Sequence, residues 1–233
     1  MQASTYNAIN PSAWKLGNVF TTPKGLKKID VQTEEGTKPV FQLWKAGDAY
    51  LRAPYGISEP FNAGGESGNP SSSMPVTVKA MPLELKYQDH FNFCQQLDNA
   101  VLQLIFNNQR RLFDLAAEDE LIPLSMLRRQ FCGIVKLSKK PEYPATARIK
   151  VNVGKAESAT SFLKFEQRQT HNCSCEDVLR GCTVIPIVEF QGIWMSSTGG
   201  FGVTLQATQV LIMTQGSAQS VGFAGLEFIN QDE

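Results

Sequence analysis

Two sets of residues in this 233-residue chain have types and spacings suited to chemistry. The first is His171, Cys173 and Cys175, with Cys182 seven residues further on. Imidazole and thiolate are donors that zinc takes, and here four such side chains fall within twelve positions. The spacing is not the Cys-x-x-Cys of a zinc knuckle, and ligands at odd separations along a strand project from opposite faces. Zinc on His171, Cys173, Cys175 and Cys182 therefore stands as the minor alternative to a reduced loop followed by a core cysteine at position 182. With Cys94 and Cys132 the thiols number five, an odd total at irregular spacing that suits a reducing intracellular compartment and implies no disulfide.

The second set is made of cations and flat rings. A single nucleic-acid strand is held by positive charge on its phosphates and by aromatic faces against its unstacked bases. Each stacked base contributes about 1–3 kcal/mol, and the phosphate contribution falls with salt. Lys27, Lys28, Trp44, Arg52, Tyr55, Arg148, Lys150 and Trp194 all lie on segments that read as strands, with Lys45 and Lys164 beside them. In ARIKVNV, Arg148 and Lys150 share the side opposite Ile149, Val151 and Val153 by the two-residue period of a strand. Taken singly, each indole is better explained as core and each cation as solvated surface. Their recurrence across several strands raises the reading as a nucleic-acid-binding set to equal standing, without by itself naming DNA.

Catalytic patterns are missing from the sequence. Only His90 and His171 could act as imidazole acid–base groups, and there is no phosphate-binding loop, dinucleotide turn or nucleophile elbow. Glu118, Asp119 and Glu120 read as a solvated helix end. The expectation is a non-enzymatic protein without a cofactor.

Charge is neutral in sum but uneven along the chain. Residues 1–58 carry net +3, 59–120 net −5, 121–170 net +7 and 171–233 net −5. A local anion-binding face is compatible with that distribution. No apolar run approaches the ~18 residues that span a bilayer, and the first residues lack the layout of a signal peptide. An intracellular, soluble protein without membrane contact is expected.

The elements that must position these groups are mostly strands. Residues 1–24 read as an arm, with one short strand signal at Val19-Phe20. Strand signals continue from Leu26 to Val31, Val40 to Trp44 and Tyr50 to Tyr55, and the Gly/Ser/Asn/Pro-rich stretch 60–75 reads as a flexible loop. Val76 to Leu85 returns to strand character with Pro82 marking an edge or bulge. The spacing of Leu97, Val101, Leu104, Ile105, Leu112 and Leu115 predicts a helix over 89–117 capped by Asp89, and Pro123 suits the first turn of a second helix over 124–130. Further strands are expected at 133–137, 147–153 and 162–165, then two long ones at 182–195 and 201–213 joined through Ser196-Ser197-Thr198-Gly199-Gly200. Residues 214–233 read as a tail, with Glu227, Asp232 and Glu233 giving it an acidic end.

No βαβ rhythm appears, so the expected fold class is mainly β: an OB-like Greek-key barrel over 25–213 with a helical insertion (89–130) that contains the long helix, and a C-terminal β-hairpin. Four stretches carry a family likeness: PVFQLW with YLRAPYGISEP, DHFNFCQQLDNAVLQLIF, YPATARIKVNV, and VIPIVEFQGIWMSSTGGFGVTLQATQVLIM. In their order the chain resembles the single-stranded DNA-binding proteins of large nucleocytoplasmic DNA viruses, African swine fever virus type, and more distantly those of phages. The resemblance implies a sequence-tolerant binder of single strands in replication, repair or recombination, with Tyr55, Arg148, Lys150 and Trp194 at matching positions. It implies replication proteins as partners and, for a viral source, the host nucleus or a cytoplasmic replication site. RNA as a second ligand and homo-oligomers stay open. The competing function is a structural β protein of a virion or assembly scaffold.

Overall fold

Two strands of 13 residues each, the longest among the described residues, organise everything else. The structure is a computed structural model that describes residues 3–22, 25–58, 76–154, 158–197 and 199–213. The expectations for the loop at 60–75 and the tail at 214–233 fall outside those residues. In chain order the elements are β1 (Ser4–Thr5), β2 (Lys15–Thr21), β3 (Lys27–Gln32), β4 (Val40–Gln42), β5 (Leu51–Arg52) and β6 (Val76–Glu84), then α1 (Gln88–Asn107), α2 (Gln109–Leu112) and α3 (Leu124–Gln130), then β7 (Phe131–Cys132), β8 (Val135–Lys136), β9 (Thr146–Gly154), β10 (Ser161–Glu166), β11 (Gln169–Asn172), β12 (Thr183–Met195) and β13 (Phe201–Met213). The fold is mainly β, a curled half-barrel sheet with one long helix and a closing hairpin.

The hairpin forms because both strands are rich in β-branched and aromatic residues and the link between them is rich in small ones. The Ser196 N–H donates to the Gly200 carbonyl at 2.7 Å to shut the turn. Each long strand then changes its outer neighbour partway along. Strand β12 pairs with β5 and β4 from Thr183 to Glu189 and with β3 from Ile193 to Met195. Strand β13 pairs in parallel with β7 and β9 between Phe201 and Ala207, and with β10 from Gln209 to Met213. Irregular register between Ile187 and Val188, and between Phe190 and Ile193, makes the exchange possible. Bulges of this kind bend a strand and add twist. Gly192 sits in the second one at φ +90, where an added Cβ would lie 2.2 Å from the Ile29 carbonyl oxygen.

The other side of the curl is built on β6, which runs antiparallel to β9 from Val76↔Gly154 to Glu84↔Thr146. Pro82 is tolerated there because Arg148 of β9 is its one laddered neighbour among the described residues, as expected of an edge. A backbone bridge crosses the open side, in which the Ser58 N–H donates to the Ala80 carbonyl at 2.8 Å.

Inside the curl lies the main core. Helix α1 contributes Phe93, Cys94, Leu97, Val101, Leu102 and Ile105 to it. Asp98 on the same helix is half-buried, and its carboxylate accepts the Ile134 and Val135 N–H groups at 2.7 and 3.1 Å, tying α1 to β8. The single helix expected over 89–117 is broken at Asn108 into α1 and α2, yet Leu112 is still buried, so the apolar period continues across the break. Asp89 does not cap α1; it lies in the first turn after Tyr87, where its charge faces the positive end of the helix. Among the described residues no helix is long and apolar enough to cross a membrane.

A second apolar cluster lies on the outer face of the hairpin's far end, where Leu163, Phe165, Ile185, Ile187, Leu211 and Met213 pack with Trp44 and Tyr50. Both faces are therefore buried there, which is why these stretches read as unbroken apolar runs rather than alternating ones. Residues expected to form a loose arm are instead built in. Tyr6 packs on Phe93 at 5.2 Å, Trp14 meets Phe190 edge-on at 4.9 Å, and β2 is laddered to β3. Two large rings in a polar segment gain more by burial than the arm gains by freedom.

Replacing Gly192 with Ala should cost about 3 kcal/mol, from a strained φ and a backbone clash. The matching change at Gly199, φ +87 in open space, should cost only about 1 kcal/mol. Urea unfolding of the two variants checks the difference.

Candidate nucleic-acid interface

Cross-strand partners point to the same side of a sheet, and so do alternate residues along a strand. Applied to the register, these rules put Phe20, Lys28, Trp194 and Gly202 side by side across β2, β3, β12 and β13 on the side away from the main core. Cys132 of β7 joins them opposite Gly202. Two steps along β13 from Thr204 is Gln206, whose partner on β9 is Lys150. Arg148 comes next on the same side of β9, and Lys136 of β8 lies beside it opposite Thr146. The result is a row of rings and cations over adjacent strands.

Trp194 is the centre of this row, and its seat is unusual. A Cβ built on Gly202 would lie 2.8 Å from Trp194 Cζ2, so the edge of the indole rests over a bare α-carbon. Trp194 is half-buried, which leaves ring surface towards solvent. Phe20, two strands away, is 52% exposed, well above the usual value for a phenylalanine outside a contact surface.

Electrostatics sharpen the picture. Burial holds the Lys150 ammonium below the usual lysine range, and the charge of Lys28 lowers it further. Lys28 lies three strands from Lys150, so the curl of the sheet and the reach of both side chains bring the two charges within range of each other. Among the described residues neither lysine forms an ion pair. Burial also lowers the Arg148 guanidinium from its ordinary value. Glu189, on the same side as Gln206, is held 3.1 Å from Lys38 on the neighbouring edge.

Four of the eight residues singled out from the sequence therefore share one face: Lys28, Arg148, Lys150 and Trp194. The other four do not join it directly. Lys27 alternates to the opposite side of β3, where its ammonium pairs with Asp114 at 2.6 Å and ties β3 to the end of α2. Trp44 stacks on Tyr50 at 5.7 Å and donates its indole N–H to the Asp48 carbonyl at 3.0 Å, as part of the second apolar cluster. Arg52 and Tyr55 line a separate pocket at the end of β6, with Arg52 paired to Glu84 at 3.1 Å.

The zinc alternative fares differently. His171 is exposed on β11 opposite Lys164, while Cys173, Cys175 and Cys182 pack part-buried against the main core. Among the described residues no three metal-ligand side chains gather. Burial pushes the Cys173 thiol up to about 11 and raises Cys182 as well, which opposes the thiolate that zinc needs. The other histidine, His90, is 2% exposed, with Nε2 3.2 Å from Asp48 and the Tyr6 ring beside it; it clamps α1 to the loop before β5.

Phe20, Lys136 and Gly202 belong to the face, and sequence reasoning misses them as site residues. Val19-Phe20 is the one strand signal in the first 24 residues, and Lys136 lies within an expected strand. Their side of the sheet depends on long-range register that no local pattern encodes.

No protein-family profile matches the chain, and no curated protein sequence matches it. Among solved structures it is similar to gp2.5, a single-stranded DNA-binding protein of bacteriophage T7, at 10% identity over 78% of this chain and 89% of that one, TM-score 0.46. It is also similar to the single-stranded DNA-binding protein of bacteriophage Enc34 in complex with single-stranded DNA, at 12% identity over 85% of this chain and 96% of that one, TM-score 0.41. Both are phage proteins; the likeness to the large nucleocytoplasmic DNA viruses has no counterpart in either.

Gly202→Val should clash with the Cys132 carbonyl as well as push the Trp194 indole off its seat, cost about 1–3 kcal/mol by overpacking and raise the acrylamide-quenchable share of tryptophan emission. Unchanged quenching would show that the indole does not rest there.

Proposed function

We propose that the chain is a sequence-tolerant single-stranded DNA-binding protein that grips its ligand on the outer face of the hairpin and β9. One observation carries this reading. A half-buried indole is seated on Gly202 beside Lys28, Lys150 lies further along the same face opposite Gln206, and neither lysine has an acidic partner in an ion pair among the described residues. An anion between the lysines relieves their repulsion, and a base against Trp194 covers its exposed ring surface. A phosphate followed by an unstacked base supplies both. Double-stranded DNA offers no free base faces, and an isolated anion leaves the ring uncovered.

Sequence tolerance comes from the same chemistry. Every base has a flat face and every nucleotide a phosphate, so rings and cations grip without reading base edges. In this reading the protein performs no catalysis of its own and serves replication, repair or recombination inside the cell, beside replication proteins, with RNA as an open second ligand.

Fluorescence anisotropy with labelled oligo-dT and oligo-U at two salt concentrations tests the reading. Lys28→Glu and Lys150→Glu should each weaken binding about tenfold at low salt, and each lysine removed should flatten the salt dependence by about 0.7 in log–log slope. Trp194→Ala should cost about 1–3 kcal/mol of binding. Wild-type protein that binds neither oligomer at low salt, and runs as a stable oligomer unaffected by them on size exclusion, would instead support a structural role.

A further inference from the structure

The row of cations on β9 does not end at Arg148. Thr146, the next residue on that side, is paired with Glu84 of β6, and Glu84 holds Arg52 at 3.1 Å. Beyond lies an open pocket of about 600 Å³, lined by Arg52, Tyr55, Glu84, Lys86, Tyr143 and Arg180 and walled by Pro54, Pro141 and Pro144. Its size falls in the range of small-molecule sites, roughly 300–1,000 Å³.

Two features of this pocket call for a ligand. Tyr55 and Tyr143 are 63% and 57% exposed, so two large flat rings face solvent in one concavity. Glu84 is already engaged by Arg52, whereas Lys86 and Arg180 form no ion pair among the described residues. The pocket's three cations outnumber its two carboxylates, Glu84 and Glu142, and Lys140 sits 6.0 Å from the Tyr143 ring centroid. Prolines limit backbone freedom in the walls.

We propose that this pocket is a second base-binding site, which takes a nucleotide of the same single strand after it leaves the Trp194 face. The base lies against Tyr55 and Tyr143, and the flanking phosphates lie on Lys86 and Arg180. The proposal rests on the single-strand reading above, and register supports the continuity: Lys150, Arg148 and Thr146 are alternate residues of one strand leading to the pocket's Glu84 wall. It assigns Arg52 a positioning role, since its guanidinium is held by Glu84 and runs alongside Gly181.

Oligo-dT of increasing length, from about 4 to 16 nucleotides, separates the two sites. The double variant Tyr55→Ala, Tyr143→Ala should bind the shortest oligomers as wild type does and the longest about tenfold more weakly. The double variant Tyr55→Phe, Tyr143→Phe should keep wild-type affinity at every length. Photocrosslinking of 5-iododeoxyuridine-substituted oligo-dT to wild-type protein should place adducts on Tyr55 or Tyr143 as well as on Trp194. Equal affinity of wild type and the alanine pair for long oligomers, with adducts at Trp194 alone, overturns the second site and leaves the first intact. Failure of wild type to bind any length overturns the single-strand reading itself.

Discussion

A strand residue can ladder to two neighbours only, one on each side, yet β12 has four partners. With β13 along one edge, the other edge must serve β5, β4 and β3 in turn, and the chain meets that demand by bending. The bend needs a residue at φ +90 with backbone pressed against its α-carbon, which restricts position 192 to glycine. The placement of the indole depends on that bend. Trp194 lies two residues past it, opposite Lys28 on one side and Gly202 on the other. A straight β12 would keep its earlier partners, and the indole would not meet the β3 cation. The feature that curls the sheet thus also assembles the face.

Neutral total charge is no obstacle to an anion-binding surface, because several carboxylates near the sheet are engaged in structural pairs, although Asp30, two residues from Lys28 on the same side of β3, forms none among the described residues. Glu189 pairs with Lys38, Glu84 with Arg52, Asp114 with Lys27, and Asp48 with Lys45. Pairs at the surface add little stability, commonly under about 1 kcal/mol, but they absorb negative charge that would otherwise offset the face. Asp98 goes further: half-buried beside β8, its carboxylate is directed at two backbone N–H groups. The cations left without acidic partners among the described residues include Lys28 and Lys150, and they sit within range of each other.

Much of the architecture is legible in the sequence because local pattern and long-range packing agree there. ARIKVNV alternates because β9 has a core side and a solvent side, and Phe201–Met213 is readable as a strand from its composition. Pro123 marks the start of α3. Legibility fails where tertiary burial overrides a polar context, as with Tyr6 and Trp14 in residues 1–24. It fails again where the side of a strand matters more than its existence. Lys27 and Lys28 look equivalent in sequence, yet one braces α2 and the other lies beside Trp194. Trp44 and Trp194 are both half-buried indoles on or beside strands, and only register separates the one that closes an apolar cluster from the one over Gly202.

The most direct measurement uses the chain with Trp14 and Trp44 changed to Phe, so that Trp194 alone emits. Titration with oligo-dT at low salt should quench that emission to a plateau, and added salt should restore it as the phosphates release Lys28 and Lys150. Emission that stays constant through the titration, while anisotropy of the same labelled oligomer reports binding, would place the strand elsewhere on the protein and contradict the assignment of this face.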